Sequence, residues 1–65
     1  MNLVPAETQV NAMKLILKMN ESMNKITEAL QSGDLDSCNV WNEKHLDENK
    51  QLENLIRRTR KDINT

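Results

Sequence analysis

With 65 residues, nine Lys and Arg against ten Asp and Glu, and a formal net charge of −1, the chain has room for one domain and exerts no global electrostatic pull toward nucleic acid or membrane. A single Trp supplies all of its aromatic content, which leaves no base-stacking platform and argues further against a nucleic-acid partner, and a single Cys rules out an internal disulfide and makes a reducing, cytoplasmic setting the default. No stretch approaches the roughly 20 apolar residues of a membrane span, and the N-terminal residues lack the basic flank, apolar run and small-residue cleavage site of an export signal.

The first element is a helix over residues 5–31. Pro5 suits the first helical position because its missing N–H would be unpaired there in any case, and Glu7 sets negative charge near the positive helix end. Gly33 closes it as a left-handed C-cap. Ala12, Leu15, Ile16, Met19, Met23, Ile26 and Leu30 recur at helical spacing as one stripe, widened toward the N-terminus by Val10, Met13 and Leu17. One neighbouring helix cannot cover a stripe so wide. Two surfaces are therefore expected, one against the second helix and one against another molecule.

A turn over residues 32–35 leads into a second helix over 35–63, whose first N–H groups Asp34 or Asp36 is placed to accept. Its apolar residues are sparser: Leu35, Cys38, Val40, Trp41, Leu46, Leu52, Leu55, Ile56 and Ile63. From Asn42 to Gln51 Leu46 alone is apolar, so His45 or Asn49 has to help fill the seam. Isolated helices of this kind are marginal in water, so helicity here depends on packing. The fold class expected is all-α: residues 1–65 form one antiparallel two-helix hairpin, a coiled-coil pair completed by a partner or by dimerisation because its own core is too small.

The chemistry-bearing residues each have a plain reading. Cys38 and His45 lie two turns apart on one helix face with Asp34 a turn further back, but a zinc site needs three or four converging ligands and the chain has no second Cys or His. A base two turns away on the same helix cannot reach the Cys38 thiol, so nucleophilic catalysis fails as well. Asp47, Glu48 and Glu53 alternate with Lys44 and Lys50 and read as a solvated face with i,i+4 pairs. No enzyme, cofactor or metal site is expected. Arg57, Arg58, Arg60 and Lys61 complement the negative end of the helix dipole, with contact to an acidic protein or RNA phosphate as the alternative. Trp41 either closes the core near the turn or anchors a partner.

Met23-Asn24-Lys25-Ile26 in the late first helix, Gly33-Asp34 at the turn, Val40-Trp41, and Leu52-Glu53 followed by Ile56 resemble the small co-chaperones of type III secretion needle subunits, the YscE/PscE type. Chain length and two-helix layout agree, while Arg57-Arg58-Thr59-Arg60-Lys61 stands where that family has an apolar run. The resemblance implies a hairpin that pairs with a tetratricopeptide-like chaperone, the two together keeping a needle subunit monomeric in the bacterial cytosol until export. Two other readings stay open: a homodimeric four-helix bundle of the RNA-binding Rop kind, and a small inhibitor or adaptor that docks a helix into a host protein. Under each the partner-binding candidates are Val10, Met13, Leu17 and Met23 of the first helix and Trp41, Leu52, Leu55 and Ile56 of the second.

Overall fold

The computed structural model describes residues 4–63, which form two helices, α1 (Ala6–Ser32) and α2 (Leu35–Ile63), packed side by side. Pro5 stands one residue before α1 rather than in its first turn, because its ψ of 144° is extended. Its carbonyl still accepts the N–H of Gln9 at 3.0 Å, and the Gln9 side-chain amide donates to the Val4 carbonyl at 2.9 Å.

The turn is closed by backbone chemistry. Gly33 adopts φ 75°, ψ 14°, the left-handed region that a side chain disfavours. The Asp34 N–H then donates to the Ala29 carbonyl at 2.9 Å and the Gly33 N–H to the Leu30 carbonyl at 3.2 Å, which is the Schellman arrangement that satisfies the last carbonyls of a helix. Asp34 at once caps α2: one carboxylate oxygen accepts the Ser37 N–H at 3.1 Å and the other the Ser37 hydroxyl at 2.7 Å. Those two hydrogen bonds, the hydroxyl's first, hold the Asp34 pKa below its ordinary 3.8.

The molecule is a rod of 49 × 15 × 13 Å, and its 15.0 Å radius of gyration compares with about 11 Å for a compact globule of this length. Such a shape has one seam and no interior. Along α1 the seam runs through Thr8, Ala12, Leu15, Met19, Ser22, Ile26 and Ala29, and along α2 through Cys38, Trp41, His45, Glu48, Leu52, Leu55 and Thr59; Lys25, Ser37 and Asn49, each beside a seam position, are also half-buried. Both sets step by alternating threes and fours, the repeat of an antiparallel coiled coil.

This repeat narrows the expected stripe. Ile16, Met23 and Leu30 follow the seam residues Leu15, Ser22 and Ala29 by one position, so helical geometry turns them out to the flank, where all three are exposed. Leu46 is exposed beside His45, and His45 and Asn49 are half-buried in its stead. The most enclosed residues are Ser22, Glu48 and Ala29, at 1%, 5% and 7% of their full exposure. Glu48 thus belongs to the seam and not to the solvated face, because it falls on the same repeat as Trp41 and Leu55 and meets the Ser22 hydroxyl, which donates to its carboxyl at 2.6 Å. The Ile63 side chain lies outside the described residues.

Candidate functional site

In an antiparallel pair, the positions that follow the seam on one helix share a face with the equivalent positions on the other. On this hairpin that geometry makes two unlike faces. One carries Ile16, Met23 and Leu30 of α1 with Leu35 and Ile56 of α2, separated along α2 by Asn42 and the half-buried Asn49; the five apolar side chains are all exposed. The apolar surface continues round α1 through Met13 to Leu17 and Val10, with Leu17 67% and Met13 63% exposed. Isolated surface apolar residues are ordinary, whereas this run extends over both helices.

Of the partner-binding candidates, Val10, Met13, Leu17, Met23 and Ile56 stand on this exposed surface. Trp41, Leu52 and Leu55 are half-buried at seam positions, with the Lys44 ammonium 4.9 Å from the centre of the Trp41 ring. A cation over the outer face of the indole leaves its inner edge to the seam.

The opposite face is polar. Near the open end of the hairpin, Lys14 and Lys18 of α1 and Arg57 and Arg58 of α2 border a shallow open groove of about 760 Å³, together with Asn11, Gln51 and Asn54, over a floor of Leu15 and Leu55. No carboxylate lines it. One step toward the turn, a smaller hollow of about 310 Å³ mixes Lys18 and Lys44 with Glu21, Asp47 and Glu48. The charges are therefore segregated along the face, a feature that net charge averages away. Lys14 and Lys18 did not stand out in the sequence; their signal was two like charges at i,i+4 with no acid between them on that face, where Asp or Glu is the usual helical neighbour.

Between the faces the seam is polar at mid-length. His45 lies one turn before Glu48, and its Nδ1 is buried without a hydrogen-bond partner. Cys38 is a free, half-buried thiol in the first turns of α2. Among the described residues no three His, Cys, Asp or Glu side chains converge as metal ligands, and no helix is long and apolar enough to cross a membrane. No protein-family model, curated protein or solved structure matches the chain.

Proposed function

We propose that the chain is a protein-binding subunit of the co-chaperone kind, whose hairpin is completed when a second helical protein lies along its exposed apolar face. The observation that carries this reading is an imbalance: among the described residues the buried hydrophobic core consists of Ala29, while large apolar side chains line one face and the outer side of α1. Burial of apolar surface is the main term that offsets chain entropy on folding, and a single seam this thin supplies little of it. Flexible Met13 and Met23 suit a surface that is tolerable when bare and adapts closely when covered. The role in keeping an export substrate soluble, with a tetratricopeptide-like chaperone as the partner and a needle subunit as the client, rests on the resemblance of Met23 to Trp41 and Leu52 to Ile56.

The experiment is co-expression with the products of the neighbouring genes, followed by the mass of the purified species. A stoichiometric complex that Leu17→Asp or Met23→Asp abolishes, with helicity of the free chain retained, supports the reading. A burden of 2 kcal/mol or more per buried charge corresponds to roughly a thirtyfold or greater loss of affinity for each variant. A strictly monomeric chain that melts cooperatively above about 70 °C overturns it, since such a chain needs no partner. The second reading, a homodimeric four-helix bundle, is favoured by the spread of the apolar face over both helices; it predicts a dimer of the isolated chain that the same two variants dissociate.

A further inference from the structure

The basic groove lies on the face opposite the apolar one, so a partner that covers the latter leaves the former open. We propose that this groove binds the phosphodiester backbone of a nucleic acid.

Arg57 and Arg58 sit in the last turns of α2, where the helix dipole favours cations, but the dipole gives no reason for Lys14 and Lys18, which stand in the N-terminal half of α1. Of nine cations and ten acids in the chain, four cations and no acid border this one groove. Like charges brought to one groove from two helices repel, and although Lys18 also borders the hollow that holds Glu21, Asp47 and Glu48, an anion lying in the groove relieves that repulsion for all four. The side-chain amides of Asn11, Gln51 and Asn54 add neutral donors on the same rim.

Shape and chemistry narrow the anion. From Asn11 to Lys18 the α1 wall is about 10 Å long, a span that faces a few successive phosphates of one strand. The groove is open to solvent along its length, unlike the enclosed pocket that holds a small molecule. An acidic protein segment would be expected to meet an apolar or aromatic anchor at the centre with charges at the rim. Here the centre offers two half-buried leucines and no aromatic side chain to anchor a protein segment, while four cations and three amides surround it. Trp41, the one aromatic ring, lies two heptads from Leu55 along α2, so bases have nothing to stack on and recognition is of the backbone, independent of sequence. The inference departs from the expectation drawn from net charge, and it does not depend on what covers the apolar face.

The test is fluorescence anisotropy of the purified chain with a labelled duplex DNA of about 20 base pairs, the matching duplex RNA, and a Glu-rich peptide, over a range of salt. Four phosphate contacts give a slope of log affinity against log salt of about −3 to −4 and dissociation constants of about 10⁻⁴ to 10⁻⁶ M at physiological salt. Lys14→Gln with Lys18→Gln is expected to weaken duplex binding at least tenfold and to flatten that slope by about 2. Lys14→Arg with Lys18→Arg is expected to retain binding, and Lys25→Gln, outside the groove and beside Glu28 at 3.6 Å, to change it less than twofold. Circular dichroism shows whether each variant stays helical; Arg57→Gln with Arg58→Gln carries the same readout from the other wall should the lysine pair unfold. A preference for DNA or for RNA identifies the source and keeps the proposal. Absence of duplex binding, duplex binding that the glutamine pairs leave unchanged, or tighter binding of the Glu-rich peptide than of either duplex overturns it.

Discussion

The turn and the middle of the seam hold the same two helices together by different means. Around Gly33 the chain reverses through main-chain hydrogen bonds to Ala29 and Leu30 and an Asp34 cap on Ser37, all within a few residues of each other in sequence. Around Ser22 the helices meet through a serine and a glutamic acid 26 residues apart, enclosed where an apolar pair would ordinarily sit. The first arrangement is cheap and local, and it sets the length of the turn. The second is costly and long-range, because a buried polar group is favourable only when its partner is in place. What it contributes is register: a slip of one heptad would set Glu48 opposite Leu15 or Ala29, neither of which has a side-chain donor. The turn fixes where the chain reverses, and the polar pair penalises every alignment of the helices but one.

The sharpest way to break this contrast is at the centre. Ser22→Ala leaves the Glu48 carboxyl enclosed without its 2.6 Å donor and is expected to destabilise the hairpin by about 2–3 kcal/mol, measured by chemical denaturation. Ser22→Ala combined with Glu48→Leu removes both polar groups and is expected to recover that loss or exceed it, since a well-packed apolar pair often replaces a buried polar one at no cost. The gain should come with a looser register, visible as a spread of products when cysteines placed along the two helices are oxidised. A double variant as unstable as Ser22→Ala alone would show that the polar pair supplies stability rather than alignment.

Closer to the turn, Ala29 is the buried small residue that lets the helices approach. Ala29→Leu is expected to cost about 2 kcal/mol through overpacking, read as a lower denaturation midpoint with helicity retained. Gly33→Ala meets open space around its new methyl group but must hold φ 75°, so its expected cost is about 1 kcal/mol from backbone strain alone. If Gly33→Ala proved more damaging than Ser22→Ala, the division of labour between turn and seam would be reversed.

The smallest effect is expected at Asp34 and appears as a pH dependence. Its pKa is lower in the folded chain than the ordinary 3.8, so the cap contributes fully above that value and its contribution is lost as pH falls through the folded pKa. Thermal melts of the native chain should show this decline at acid pH, superimposed on that of the other carboxylates. Asp34→Asn, which still caps but does not titrate, should show a shallower decline. Identical acid profiles for the two would separate the cap from the pH response.

Much of the fold could be read from residues close together in the chain. Gly33 followed by Asp34 marks the reversal, uninterrupted helical spacing on both sides marks two helices, and the thin apolar content of residues 42–51 calls for His45 or Asn49 to fill the seam, where His45 stands with Asn49 half-buried at its edge. Glu48 could not be read this way. Between Asp47 and Lys50 it looks like one charge on a solvated face, and only the repeat shared with Trp41, His45 and Leu55 turns it inward. The same distinction governs the apolar and the basic face. The excess width of the α1 stripe was legible, and Val10, Met13, Leu17 and Met23 are exposed as that width requires. The basic groove was not, because Lys14 and Lys18 lie more than 35 residues from Arg57 and Arg58 and become neighbours only across the hairpin.

The sequence by itself determined two helices, the place where they reverse, and an apolar surface larger than one partner helix covers, since capping, backbone strain at glycine and helical periodicity all act over a few residues. Tertiary structure decided which side chains share a layer. Pairing α1 with α2 in this register enclosed Ser22 with Glu48, set Ile16, Met23 and Leu30 of α1 on one face with Leu35 and Ile56 of α2, and gathered four cations on the other, because contacts between helices depend on alignment over the whole length of the rod and not on any local run of residues.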